Sequence, residues 1–499
     1  MLFNSLHFLV FFPIVVLLYM IIPSRFKYLW LLGASYYFYM SWNPKYVILI
    51  ALSTIVTWIS GLLLDTQKDR RKSDFCRKMI VAASFIVNLS ILGFFKYFDF
   101  FLQNLNKVLG HINVQMIDNP FDIILPVGIS FYTFQALSYT VDVYRGDVKA
   151  EKNPLKYALF VSFFPQLVAG PIERSANLLG DIRDIENKKI WDFDRIKSGL
   201  IVMLYGIFLK IVVADRVSIL VNQVYANYQV CDPIILMIGA VGFSIQIYCD
   251  FSSYSTIAIG AAKVMGFTLM ENFETPYFAR TIKDFWQRWH ISLSTWFRDY
   301  LYIPLGGNRC SKIRKYFNVM VTFLVSGLWH GAGWNFIVWG GLHGAYQVVG
   351  ESLMPIRKKM ISVFKIKTES ISYKFAQMTI TFILVTIAWI FFRAESLDVA
   401  TDYIRHMFVM EDFPYNFFNG GLYLLGLDRF EWKVLIVSVV MMLGVGLVRY
   451  NLKLKIDEFL EKQMVWFRWG VVFLLFFMTI IFGQYGPDYS QQSFIYFQF

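Results

Sequence analysis

Apolar runs of nearly membrane-spanning length recur along the whole of this chain. Residues 6–22 carry no charge beyond His7, and residues 434–448 and 471–482 carry none at all. Helices of about 20 apolar residues cross bilayers because each backbone polar group is bonded within its own segment. Of the 499 residues, 57% are hydrophobic and 16% are charged, which excludes a soluble domain of this size. The pattern predicts an all-α polytopic membrane protein.

The first apolar run is predicted to be a retained helix, since it lacks the basic start and the small-residue cleavage site of a signal peptide. The net charge of +12 collects in short connections between apolar runs. This distribution is typical of the positive-inside rule and does not indicate nucleic acid. The four cysteines show no CxxC spacing, so they indicate neither a disulfide framework nor a thiolate metal site.

Charge also predicts the orientation of the chain, because cytoplasmic connections are rich in lysine and arginine. The connections predicted to be cytoplasmic for this reason are residues 68–78, 309–315, 357–374 and 449–468. The connections predicted to lie outside, which are poor in lysine and arginine, are residues 101–122, 222–233 and 395–431. The alternation of the last helices then leaves the C-terminal tail extracytoplasmic.

His330 lies between two of the basic connections, in a region that predicts a pair of short helices at residues 316–329 and 334–349. The glycines on either side of Ala332 predict a break between these helices. Such a break is tolerated at membrane depth only where it lines a cavity or is buried in protein. A titratable side chain there is costly and usually functional, so His330 is predicted to face a cavity deep in the membrane. His343, on the second helix, is expected nearer the cytoplasm with a structural role.

His290 lies in residues 281–303, which are too charged for a spanning helix but rich in tryptophan and tyrosine. The mixture predicts one helix at or partway into the membrane interface, with most of its aromatic residues on one face and His290 beside that face. A structural anchor and a functional role remain equally open for His290. The other histidines, expected to be ordinary end or loop residues, are His7, His111 and His406.

The chemistry available to such histidines is narrow. No HExxH motif or comparable ligand set occurs, so no metal is predicted, and no nucleotide-binding GxxxxGK[ST] or serine-nucleophile GxSxG motif occurs. A neutral imidazole can still remove the proton of a hydroxyl while that hydroxyl attacks an activated thioester. Acyl transfer from a thioester to an alcohol therefore fits these residues without a cofactor.

Two long blocks, WQRWHISLSTWFRDYLYIPLGG at residues 286–307 and SGLWHGAGWNFIVWGGLHG at residues 326–344, resemble the membrane-bound O-acyltransferase (MBOAT) family. The resemblance is strongest to the bacterial branch of alginate O-acetylation and teichoic acid D-alanylation. Further stretches similar to this branch are residues 1–13, 126–144, 164–173 and 494–499. The resemblance implies about eleven transmembrane helices, with re-entrant and interfacial helices, around a central tunnel.

A single membrane domain over residues 1–499 is implied, with N-terminal helices at 1–122, a catalytic core at 123–350 and C-terminal helices at 351–499. In that family His330 corresponds to the essential histidine, here the general base. His290 corresponds to the second site position, which orients the acceptor or stabilises the oxyanion. The candidate substrate-binding residues are Trp286, Arg288, Trp289, Arg298, Trp329, Asn335, Asp250 and Tyr254.

Asp250 is expected to have a partner inside the membrane, either an arginine of residues 280–298 or a purely structural salt bridge. The alginate-like branch usually has glycine in place of Ser253 and aspartate in place of Thr256. This departure leaves the acceptor open.

The function implied is transfer of an acyl group, acetyl by resemblance, from a cytoplasmic thioester to a hydroxyl of an extracytoplasmic polysaccharide or of an intermediary protein. The donor is acetyl-CoA or an acylated phosphopantetheine carrier protein, and no cofactor is bound. The expected partners are membrane lipids and an SGNH-type acyltransferase or polysaccharide synthase at the cytoplasmic membrane. The alternatives are D-alanyl transfer to teichoic acid, a transporter or flippase of a lipid-linked precursor, and a scaffold subunit.

Overall fold

The computed structural model describes residues 1–66, 74–121, 123–168, 170–409, 415–486 and 495, and every regular element in them is helical. Within these ranges seven helices are long and apolar enough to cross a membrane. The prediction of an all-α polytopic membrane protein is confirmed, whereas the count of eleven helices stays a prediction. The basic residues 68–72, the acidic residues 411 and 412, and all but residue 495 of the closing stretch 494–499 lie outside the described residues. The seven spans are Pro44–Thr66, Asp74–His111, Phe193–Ala226, Pro233–Val264, Ile371–Arg393, Arg429–Leu452 and Val465–Phe482.

The chain forms two compact units, and the first comprises residues 1–203 and 254–270. In it α3 packs on α4 and α5, and a side chain at Gly61 would collide with the ring of Tyr139. The helices that lie wholly within it are α1 Leu6–Ile21, α2 Lys27–Met40, α3 Val47–Thr66, α4 Asp74–His111, α5 Ile129–Arg145, α6 Pro154–Ser162, α7 Phe164–Leu167 and α8 Gly180–Arg183.

The second unit comprises residues 204–253 and 271–499, and both candidate histidines belong to it. Two longer helices, α9 Phe193–Ile207 and α11 Pro233–Val264, contribute residues to both units. The single-domain interpretation stays a prediction. The other helices of the second unit are α10 Asp215–Ala226, α12 Ile282–Arg288, α13 Ile291–Phe297, α14 Lys312–His330, α15 Trp334–Ser352, α16 Met354–Val363, α17 Ile371–Arg393, α18 Leu397–Phe408, α19 Tyr415–Phe418, α20 Arg429–Leu452, α21 Ile456–Glu461 and α22 Val465–Phe482.

The predicted helix pair around His330 is the α14–α15 hairpin. Ser311 caps the start of α14 by accepting a hydrogen bond from the Arg314 amide, and the helix ends where Gly331 takes an extended backbone. After Gly333, also extended, α15 begins at Trp334. Each helix has 19 residues, a few more than predicted. At 1.5 Å per residue each is about 28 Å long, close to the thickness of a bilayer core.

Candidate active site

His330 is the last residue of α14, and aromatic rings enclose its imidazole. The ring centroids of Trp329, Trp339 and Phe392 lie 4.9, 4.8 and 5.5 Å from that of the imidazole, and all three meet it edge-on. The residue is 2% exposed. The His330 imidazole is therefore buried among aromatic rings, and its facing a cavity deep in the membrane stays a prediction.

His290 lies at a break between α12 and α13, so the prediction of one continuous helix over residues 281–303 is wrong. The backbone of His290 is left-handed, with φ 43° and ψ 54°, which is uncommon for a residue other than glycine. The helix breaks here because backbone groups from outside it form hydrogen bonds with its residues. The Ile291 amide donates to the Asn272 carbonyl, and the Glu274 amide donates to the Arg288 carbonyl, both at 2.9 Å.

The imidazole of His290 is fully buried and lies beside that of His330, with 6.4 Å between ring centroids. Phe251 packs edge-on against it at 4.6 Å, and Trp329 lies 6.0 Å away. Its Nδ1 is 3.0 Å from the side-chain oxygen of Asn272. The structure thus brings His290, His330 and Trp329 together into one aromatic chamber, which we call the histidine pair site.

His343, on α15, lies next to this site rather than in it. The indole N–H of Trp286 donates to Nδ1 of His343 at 3.1 Å, and the two rings meet edge-on at 5.1 Å. Trp339 packs on His343 at 5.1 Å and on His330 at 4.8 Å. Trp289 stacks on Phe285 and is fully buried. His343 is thus buried among aromatic rings, and the structural role expected for it stays a prediction.

A cavity of about 950 Å³ opens beside the site and is lined by residues of the segment from α12 to α17. Neither His290 nor His330 lines the cavity, and the lining residues nearest to them along the chain are Trp286, Leu293 and Ser326. Trp286 also contacts Trp339 at 5.8 Å, and Trp339 packs on His330. Two indole rings in contact therefore connect the cavity wall to the His330 imidazole. The cationic residues of the lining are Arg280, Lys283, Arg298, Lys315 and Arg357.

The other predicted substrate-binding residues divide into lining and structural groups. Arg298 lines the cavity and pairs with Asp299. Arg288 pairs with Asp284 at 2.7 Å within its own helix. Asn335 donates from its side-chain amide to the carbonyls of Phe391 and Ala394, so it ties the start of α15 to the end of α17.

Asp250 does not pair with an arginine of residues 280–298, and that prediction is wrong. Its partner is Lys210, whose Nζ lies 2.7 Å from Asp250 and 2.7 Å from Asp215, with all three side chains buried. The backbone amide of Ile495 donates to the second oxygen of Asp250 at 2.8 Å. Tyr254 belongs to the first unit, where its ring packs on Phe3.

Comparison with known proteins relates the chain to one family. Residues 149–392 match the family model described as MBOAT, membrane-bound O-acyltransferase family. A probable alginate O-acetylase AlgI from Azotobacter vinelandii is 37% identical over 425 residues, which are 84% of this chain and 80% of that protein. The chain belongs to the MBOAT family. It is a membrane-bound acyltransferase.

Other MBOAT relatives carry different names. A peptidoglycan O-acetyltransferase from Helicobacter pylori is 35% identical over 439 residues, which are 82% of this chain and 80% of that protein. A teichoic acid D-alanyltransferase from Bacillus subtilis is 29% identical over 310 residues, which are 60% of this chain and 73% of that protein. The MBOAT match includes both histidines of the pair site.

Sequence reasoning missed several residues of this MBOAT site. Asn272 and Ser292 contact His290, and Trp339 packs on His330. Trp339 could have been identified, since it lies in the block at residues 326–344 that resembles the family. Asn272 lies 18 residues before His290, and no sequence pattern marks it. Among the described residues no group of three or more His, Cys, Asp or Glu side chains is placed to hold a metal ion.

Proposed function

We propose that this protein transfers an acyl group, acetyl, from a cytoplasmic thioester to a hydroxyl of an extracytoplasmic polysaccharide or of an intermediary partner protein. The observation that carries the proposal is the histidine pair itself. Two imidazoles lie 6.4 Å apart, between ring centroids, inside a chamber of aromatic rings. Titratable side chains in such surroundings are costly, and where they occur in membrane proteins they usually mark a functional site. The named O-acetyltransferases among the relatives support acetyl as the group transferred.

His330 acts as the general base in this proposal. Its neutral ring takes the proton of the acceptor hydroxyl while the hydroxyl oxygen bonds to the acyl carbon. The C–S bond then breaks, and the imidazolium returns the proton to the departing thiolate. His290 orients the acceptor hydroxyl or stabilises the developing oxyanion. Atoms and charge balance with no further reactant.

The donor enters through the cavity beside the site. A volume of about 950 Å³ with apolar walls suits a pantetheine arm, and cationic side chains at Arg280, Lys283 and Arg357 suit phosphates. Acetyl-CoA and an acylated carrier protein both present such an arm, so both are candidate donors. Because two indole rings connect the cavity wall to the buried His330, Trp286 must move aside when the thioester reaches the base.

The proposed setting is the cytoplasmic membrane, with the basic connections inside and the C-terminus outside. An SGNH-type acyltransferase or a polysaccharide synthase is the proposed extracytoplasmic partner. D-alanyl transfer to teichoic acid from a carrier protein is the second candidate, favoured by the similarity to a teichoic acid D-alanyltransferase.

The test replaces His330 by Gln in host cells that lack the chromosomal gene. Loss of a general base lowers the rate by about 10²- to 10⁴-fold. Alkali-labile acetate on the envelope polysaccharide is therefore expected to vanish, with the variant still present in the membrane. Inverted membrane vesicles supplied with radiolabelled acetyl-CoA, or in parallel with acetylated or D-alanylated carrier protein, decide the donor and the group transferred.

His7→Gln is the matched control, because His7 is exposed and its imidazole contacts the hydroxyl of Tyr37. It is expected to acylate like the wild type. Normal acylation by His330→Gln contradicts the proposal. Acyl modification that persists while expression or assembly is disrupted points to a scaffold subunit. Movement of a glycan precursor with no thioester supplied points to a flippase.

A further inference from the structure

Asn272 is fully buried, and its side-chain oxygen lies 3.0 Å from His290 Nδ1. The same oxygen accepts hydrogen bonds from the Ser292 hydroxyl at 2.9 Å and from the Ser292 amide at 3.3 Å. The amide nitrogen of a peptide only donates. The side-chain atom that faces it is therefore the oxygen of Asn272 and not its NH₂ group.

This assignment fixes the proton on His290. An oxygen acceptor requires a donor opposite it, so Nδ1 of His290 carries the hydrogen. A neutral imidazole carries one hydrogen, and Nε2 then carries the lone pair. Hydrogen bonds made by one ring nitrogen commonly set the chemistry of the other in this way.

Hydrogen bonds and ion pairs hold the backbone around Asn272 in place. Its backbone carbonyl accepts from Ile291, and the Glu274 amide donates to Arg288, so the segment is bonded on both sides of the His290 break. The adjacent Glu271 is held by Arg449 at 3.0 Å and by Lys455 at 2.6 Å. The side-chain oxygen of Asn272 therefore has little freedom to leave His290.

We propose that Asn272 is a positioning residue that holds His290 in its Nδ1–H form, so that Nε2 accepts a hydrogen bond from a hydroxyl of the acceptor next to the one that reacts. The inference rests on the proposed function and chooses between the two roles given there to His290. A lone pair on Nε2 aligns a hydroxyl but cannot donate to an oxyanion. His290 thus orients the acceptor through a neighbouring hydroxyl, and the reacting hydroxyl gives its one proton to His330.

The direct test is ¹⁵N NMR of the purified protein labelled on histidine, with the His290 signals identified by their absence in His290→Gln. A protonated and an unprotonated ring nitrogen differ widely in chemical shift. Wild-type protein is expected to show Nδ1 protonated and Nε2 unprotonated. Asn272→Ala is expected to lose this preference, whereas Asn272→Asp keeps an acceptor at the same place and retains it.

Kinetics supply the second readout. Removing an orienting partner of this kind typically costs about 10- to 100-fold, so Asn272→Ala is expected to lower kcat by that factor with KM for acetyl-CoA little changed. Asn272→Asp is expected to restore most of kcat. Asn88→Ala is the matched control, because Asn88 is an equally buried amide bonded to Ser53 and Ser84 in the first unit.

An Nε2-protonated His290 in the wild type, or an unchanged tautomer in Asn272→Ala, overturns the inference. If Asn272→Ala does not fold, the tautomer of the wild type and of Asn272→Asp still decides it. Failure of the proposed function is seen separately, as full acylation by His330→Gln whatever the tautomer of His290.

Discussion

Lys210 holds two carboxylates that the proposed chemistry does not use. Its ammonium lies 2.7 Å from Asp215 and 2.7 Å from Asp250, and the three side chains are 1 to 4% exposed. Lys210 lies in a π-helical segment, Phe208–Ala214, between α9 and α10. Short π-helical turns of this kind are frequent at functional sites.

Replacing Lys210 by Met is expected to destabilise the protein strongly, because both carboxylates stay buried without their cation. Breaking a buried ion pair on one side costs about 3–5 kcal/mol. Thermal unfolding in detergent, followed by circular dichroism, measures the loss. Lys197→Met is the control, since Lys197 pairs with a mostly exposed Asp194, and such pairs contribute about 0–1 kcal/mol. Equal melting temperatures for the two variants would contradict the role given to Lys210.

At the scale of elements, the α14–α15 hairpin depends on glycines where its helices meet. A Cβ at Gly327 would lie 2.3 Å from the carbonyl oxygen of Phe336, and one at Gly340 would lie 2.2 Å from that of Phe323. Small residues allow helix backbones in membranes to approach closely. The hairpin that presents His330 therefore depends on backbone contact.

Gly327→Ala and Gly340→Ala are each expected to separate the two helices. Overpacking of this kind costs about 1–3 kcal/mol. Both variants should melt at lower temperature and acylate more slowly, because His330 ends the displaced helix. Gly341→Ala, on the same helix as Gly340 and outside the cavity lining, meets only Leu324 at an ordinary 3.5 Å and serves as the control. Alanine favours a helix more than glycine does, so a loss in Gly341→Ala as large as in the other two would show that close backbone contact is not responsible.

At the scale of the whole molecule, native cysteines test the predicted orientation. Cys76 is exposed and follows the basic residues 68–72, so it should be cytoplasmic. Cys231 is partly exposed in the connection between α10 and α11, which is predicted to lie outside. A membrane-impermeant maleimide added to intact spheroplasts is therefore expected to label Cys231 and spare Cys76.

Variants that keep only Cys76 or only Cys231 allow the labelling of each thiol to be measured separately. Labelling of permeabilised spheroplasts shows whether each thiol reacts once the reagent can reach it. Burial and the neighbouring Asp232 raise the pKa of the Cys231 thiol. The thiolate is the reactive form, so labelling of Cys231 should increase as the pH rises. Labelling of Cys76 before permeabilisation would reverse the proposed orientation.

The sequence predicted those features that are caused by residues adjacent to one another in the chain. The glycines at 331 and 333 end the helix of His330, and they lie directly after that histidine in the sequence. The left-handed turn at His290 depends on hydrogen bonds to Asn272 and Glu274, which local aromatic periodicity does not contain. A carboxylate in an apolar segment indicates that Asp250 needs a charged partner. Charge alone could not show whether that partner is Lys210, 40 residues earlier, or an arginine nearer in the sequence.

The two indole rings that connect the cavity wall to His330 have a consequence for the fate of the donor. A base that can deprotonate an alcohol can also deprotonate water, and water would consume the thioester without acylating anything. Trp286 on the cavity wall packs on Trp339, and Trp339 packs on the buried imidazole, so these rings limit the access of water to the base. The rings that the donor must displace thus also protect its acyl group before an acceptor is in place.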